Sequence, residues 1–143
     1  IHTLPNSTPI SHHVKVDFEL RGCPVSKAQL VEVVTAFLQG RKPQFPTHPV
    51  CMECKGRGAV CVAVARGLPC LGPVTMAGCG AICPAFGRGC YGCFGPSKSP
   101  ATAALGPVLR SHGLDDPAIA RAYRAYNAAA EAFERAGDDH ERA

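Results

Sequence analysis

Nine cysteines stand in this chain, and eight of them fall in one run. The run reads Cys51-x2-Cys54-x6-Cys61-x8-Cys70-x8-Cys79-x3-Cys83-x6-Cys90-x2-Cys93, with Cys23 apart. Thiols in such numbers are either cross-links or metal ligands. A structural zinc ion prefers two close pairs, because a tight turn brings both sulfurs to one tetrahedral centre. Only Cys51/Cys54 and Cys90/Cys93 have that form, and joining them would strand four other cysteines. An iron–sulfur cube is wider than one ion and accepts sulfurs from more loosely spaced loops, so two quartets, Cys51, Cys54, Cys61, Cys70 and Cys79, Cys83, Cys90, Cys93, suit it better. The step Cys83-Pro84 repeats the x3-C-P ending of bacterial ferredoxin motifs, and Gly78, Gly80, Gly87, Gly89 and Gly92 supply the bare N–H groups a chain needs to wrap a cluster. Zinc remains the rival.

The composition asks for such a group. The chain has 15 Gly, 13 Pro and no Trp in 143 residues, and the stretch from Lys42 to Pro100 is too rich in Gly and Pro for long helices or strands. The formal charge of +4 counts every thiol as neutral. Two four-iron cubes, each about −2 by valence counting, bring the sum near zero. Lys55, Arg57, Arg66 and Arg88 then read either as compensation for buried anions or as a solvated basic surface. No dense Lys/Arg run with interleaved aromatics points to nucleic acid. No apolar stretch approaches the length of a membrane span, and the start of the chain lacks the pattern of a secretory signal. The expected setting is cytoplasmic, where thiols stay reduced and clustered cysteines bind metal.

Three segments frame the cysteines. In residues 1–41, "HVKVDFELRG" alternates with Val14, Val16, Phe18 and Leu20 on one face, the period of a half-buried strand. A turn at Gly22-Cys23-Pro24 follows, then a helix with Ser26 and Gln29 as a capping box and Leu30, Val33, Val34, Phe37 and Leu38 as its apolar face, closed by Gly40. This strand–turn–helix is an α/β remnant whose partner strands lie elsewhere. Residues 42–100 form an irregular, cysteine-rich iron–sulfur domain. Residues 101–143 form a helical segment. Its helix is predicted to start at Asp116 and Pro117, to carry Ile119, Tyr123, Tyr126 and Phe133 along one stripe and to stop at Gly137, with "DDHERA" as a frayed tail. His12, His13, His48 and His112 are expected to be loop histidines, and Tyr91 and Phe94 either shield the second quartet or simply pack.

"DFELRGCPVSKAQL", "PVCMECKGRG", "PCLGPVTMAGCGAICP" and "GCYGCFGP" together resemble the small, electron-transferring subunit of cytosolic [NiFe] hydrogenases, most closely the delta subunit of the NAD(P)-linked sulfhydrogenase type. The resemblance covers about residues 3 to 135. It implies a distal [4Fe-4S] cluster on Cys51, Cys54, Cys61 and Cys70 and a medial [4Fe-4S] cluster on Cys79, Cys83, Cys90 and Cys93. Many relatives carry His at the position of Cys51 and some carry Pro at that of Cys83, so cysteine at both places implies two complete cubes. Cys23 resembles the fourth ligand of a third, proximal cluster beside the nickel–iron site of a large subunit. The family's flavodoxin-like domain, with the other proximal ligands, would precede residue 1, which makes residues 1–41 its C-terminal piece. The implied function is an electron relay between a hydrogenase large subunit and flavin/NAD(P)-binding and ferredoxin-like subunits, with no catalytic residue on this chain. A free two-cluster ferredoxin and a zinc-stabilised interaction module are the competing expectations.

Overall fold

The computed structural model describes residues 7–143, so the first six residues of the 1–41 segment lie outside the described residues. Three short stretches of backbone sew the cysteine region together. Segment 74–77 lies in the middle. On one side Val50 donates its amide to the Thr75 carbonyl at 2.9 Å and Ala77 donates to His48 at 3.0 Å; on the other, Met76 donates to Gly95 at 2.9 Å and Ser97 to Val74 at 2.8 Å. The bridges Pro49 to Met76 and Thr75 to Pro96 are both antiparallel. Each stretch adjoins a cysteine, with Cys51 right after Val50, Cys79 two residues after Ala77 and Cys93 two before Gly95. The seam therefore fixes both cysteine quartets relative to one another.

The helices, in chain order, are α1 (Lys27–Leu38), α2 (Val50–Gly56), α3 (Val62–Arg66), α4 (Ile82–Ala85), α5 (Thr102–Ser111), α6 (Asp116–Asn127) and α7 (Glu131–Glu141), after a single 3-10 turn at Ile10–His12. Those among the cysteines are one or two turns long, as their Gly and Pro content requires.

The expected strand over residues 14–20 is not formed among the described residues. Its alternation is real, but a strand needs a neighbour to receive its N–H and C=O groups, and none is present in the described structure. Val14 and Val16 are exposed, and Phe18 instead meets Phe37 edge to face at 5.6 Å and Phe45 at 5.8 Å. Helix α1 is where it was expected, and Gly40 closes it: the Gly40 amide donates to Phe37 and that of Arg41 to Ala36, satisfying two terminal carbonyls. The capping box does not form, because Ser26 makes no side-chain cap and Gln29 is buried with its Nε2 3.5 Å from the Ala77 carbonyl. Of the expected face only Val33 is buried, together with Gln29 and Ala36; Leu30, Val34, Phe37 and Leu38 are exposed, Leu38 at 83%. Two apolar stripes compete on this helix, and the smaller one faces the cysteine loops.

The C-terminal segment also departs from the expected single helix. "ATAALGPVLRSHG", for which no separate helix is predicted, forms α5 with Pro107 inside it. Helix α6 is capped by Asp115, one residue earlier than expected, whose carboxylate accepts the Ala118 amide at 2.9 Å. The chain then breaks at 128–130 although its alanines favour helix. Tertiary contacts override that propensity: Asn127 Nδ2 donates to the Gly92 carbonyl at 2.8 Å, and the reversal brings Phe133 onto Tyr123, ring centroids 5.4 Å apart. Gly137 is no stop. It lies within α7, where a Cβ would come 2.8 Å from Arg124 Nε, so it permits close packing on α6. Tyr126 is half exposed and leaves the stripe. The tail is helical to Glu141 and tied down, Arg124 gripping Asp138 and Glu141, and His140 and Arg110 both reaching Asp116. Leu105, Leu109, Ile119, Tyr123 and Phe133 pack with Leu71 and Val74, so the helices buttress the cysteine region from one side.

Candidate metal centre

All nine cysteines are free thiols. The second quartet converges on one cavity of about 220 Å³, lined by Cys79, Cys83, Cys90 and Cys93. Three local devices aim these sulfurs. Cys79 rides on the loop 78–81, Cys83 lies in α4, and Cys90 and Cys93 sit on a turn packed beneath Phe133 and Leu71, whose side-chain atoms come within 3.2 Å and 3.1 Å of where a Gly92 Cβ would stand. Phe94, 3% exposed, and half-exposed Tyr91 complete the wall. Cys23 lines the same cavity, and the Cys23–Pro24 peptide is cis.

The first quartet is gathered around α2 and α3. Cys51 and Cys54 lie in α2, Cys61 caps α3, and Cys70 follows α3 after a short irregular stretch. Cys51 and Cys70 sulfurs lie 3.5 Å and 3.3 Å from the point a Gly72 Cβ would occupy, so they face one another across that glycine. The Cys51 thiol is pushed up to about 11, first by burial and then by Cys70, Cys61 and Cys54 in turn. Those three neighbours, with Cys51 itself, are the expected quartet.

Burial also leads the upward shifts at Cys54, Cys83 and Cys93, and it pushes the Cys90 thiol up to about 12. A thiol in such surroundings keeps its proton unless a positive centre replaces it, and the thiolate is the ligand. The donor set thus suits metal chemistry. Among the described residues no three His, Cys, Asp or Glu side chains are gathered tightly enough to hold a single ion. The cavity is many times the roughly 10–15 Å³ one water requires on the same measure.

Two of the four basic residues singled out in the sequence, Arg57 and Arg66, reach these loops. Arg57 Nη1 donates to the Gly80 carbonyl at 2.6 Å, and Arg66 lies against Gly87. Two other residues carry structural weight that spacing alone did not show. A Cβ at Gly89 would stand 1.8 Å from the Pro69 carbonyl oxygen, so only glycine lets the two quartets' loops touch. Glu53 reaches from the first quartet's helix to the second quartet's loop. Its signal was its place: a carboxylate between Cys51 and Cys54 repels a cluster anion and so has other work.

No family model matches the chain. Curated proteins do. It is 41% identical over 123 residues to the delta subunit of sulfhydrogenase 2 from Pyrococcus furiosus, covering 86% of this chain and 52% of that one. It is 37% identical over 105 residues to the G-type subunit of the vhu F420-non-reducing hydrogenase from Methanocaldococcus jannaschii, covering 61% and 36%. The iron-sulfur subunit, also of G type, of the F420-non-reducing hydrogenase from Archaeoglobus profundus is 30% identical over 144 aligned positions, covering 78% and 45%. The chain spans about half the length, or less, of these relatives. Over that span its sequence is similar to hydrogenase subunits of the sulfhydrogenase delta and G types, one of which is an iron-sulfur subunit.

Proposed function

We propose that this chain is an electron-transfer part of a [NiFe] hydrogenase, carrying two [4Fe-4S] clusters between a partner large subunit and an acceptor subunit. The observation that carries the reading is the gathering of eight free thiols, all but Cys61 buried or half-buried, into two wide sites within a hydrogenase-subunit sequence. Cys51, Cys54, Cys61 and Cys70 hold the distal cluster, and Cys79, Cys83, Cys90 and Cys93 the medial one. The clusters supply one-electron redox chemistry; the chain holds them, fixes their separation through the 74–77 seam and keeps water away with Phe94, Leu71 and Val74. It offers no catalytic group of its own in this reading. Hydrogen chemistry belongs to the large subunit, and the electrons continue to flavin/NAD(P)-binding and ferredoxin-like subunits. No described helix is long and apolar enough to cross a membrane, and reduced thiols fit a cytoplasmic setting.

The exposed apolar side of α1, with Leu30, Val31, Val34 and Leu38, supports association with further protein. In this reading it meets the flavodoxin-like part, which also supplies the co-ligands for Cys23 in a third, proximal cluster. Co-expression with the partner subunits tests the assignment. The expected result is a stable brown complex that reduces a dye under hydrogen, while the chain alone aggregates or bleaches in air. A monomeric peak of the isolated chain that keeps its iron for hours in air supports a free ferredoxin instead.

A further inference from the structure

We infer that Glu53 is a positioning residue that shapes the medial cluster's loop from the distal cluster's helix and sets a fixed negative charge beside the medial site. The inference rests on the two-cluster reading above. Glu53 stands in α2 between Cys51 and Cys54, yet its carboxylate points at neither. One oxygen accepts the Gly78 amide at 2.9 Å; the other accepts the Ala81 amide at 3.2 Å and lies 3.9 Å from Cys79 Sγ. Two amides that flank Cys79 thus converge on one acceptor, and the loop between them takes its shape from it.

That loop needs holding. Ala81 is left-handed, at φ 51°, and is the only residue besides glycines so placed among the described residues. It is also fully buried, so its conformation and its amide have no help from water. Arg57, one turn along from Glu53 on the same side of the site, grips the Gly80 carbonyl at 2.6 Å. The carboxylate and the guanidinium hold opposite poles of the same short loop. Their charges differ in effect. A carboxylate beside a redox centre opposes the arrival of an electron, so it holds the potential of that centre down, and the effect is strong where solvent is scarce.

The test uses the holoprotein purified anaerobically with its partner subunits. Iron and sulfide content, midpoint potentials from redox titration followed by electron paramagnetic resonance, and the rate of iron release to a chelator are compared for wild type, Glu53→Gln and Glu53→Asp. The expected result is that Glu53→Gln keeps both clusters, with the medial potential moved to a more positive value and iron released several-fold faster. Glu53→Asp should keep a potential close to wild type, since the charge stays. Loss of the medial cluster alone in Glu53→Gln, with retention in Glu53→Asp, supports the same role. Unchanged potentials and release rates in Glu53→Gln overturn the inference and leave the two-cluster reading standing. Loss of both clusters in both variants overturns it too, by making Glu53 a general folding residue. Wild-type protein without iron removes the two-cluster reading itself, and the inference with it.

Discussion

The amide of Cys90 donates to the sulfur of Cys70 at 3.2 Å, and the amide of Leu71 returns to the Cys90 carbonyl at 2.9 Å. One residue of each quartet is therefore hydrogen-bonded to the other. The contact exists because Gly89 lies against the Pro69 carbonyl with no room for a side chain. In the proposed two-cluster arrangement this is a short bonded route for an electron, and the N–H donated to the Cys70 sulfur stabilises the more negative, reduced state of the cluster it would hold.

Gly89→Ala should break that route. The added methyl forces the loops apart, since backbone cannot yield as a flexible side chain does. The expected outcome is a distal potential shifted to a more negative value, or loss of one cluster, measured by redox titration with paramagnetic resonance. A variant with full iron content and wild-type potentials would show that the contact has no redox consequence.

Cys83 should decide whether the medial site keeps its fourth iron. It sits in the first turn of α4 and lines the cavity, while Cys79, Cys90 and Cys93 arrive from other segments. Cys83→Ala should leave three ligands and a three-iron signal in the oxidised protein. An unchanged spectrum means the ligand is assigned wrongly.

Phe133 should matter to the clusters without touching them. It is 1% exposed and packs on Tyr123 and against the turn that carries Cys90 and Cys93. Phe133→Ala removes a large buried ring at a cost of about 3–5 kcal/mol. Thermal melts should fall accordingly, and iron release to a chelator should speed up. Stable clusters in a clearly destabilised variant would separate the helical buttress from the metal region.

Asp116 contributes to the pH dependence of the helical segment. Its carboxyl is held below the ordinary 3.8 first by hydrogen bonding from Arg110 and then by His140. A carboxyl lowered by folding stabilises the fold above its unfolded value, and the stabilisation is lost as pH falls through the folded value. Asp116→Asn should therefore melt below wild type at pH 7, with the gap closing below about pH 4. A gap that is constant with pH would assign the loss to packing rather than charge.

The sequence carried the site further than the fold. The spacing pointed to two quartets, and the structure lines one cavity with Cys79, Cys83, Cys90 and Cys93 and brings Cys54, Cys61 and Cys70 near Cys51; that each quartet holds one cluster is the proposal. The rest depended on partners far along the chain. Residues 14–20 alternate like a strand, yet a strand is a property of two segments, and the described structure supplies only one. Gln29 looked like a cap for Ser26, but its side chain is buried near Ala77 instead. Residues 128–130 favour helix locally and bend because Phe133 must reach Tyr123. Gly137 resembled a stop, while its meaning lay in the side chain of Arg124. Such contacts leave no period in a sequence.

Metal and acid-labile sulfide analysis of anaerobically purified protein tests the central claim most directly. With Cys23 idle, the account predicts about eight iron and eight sulfide per chain, with no stoichiometric zinc. Two zinc per chain and no sulfide would contradict it.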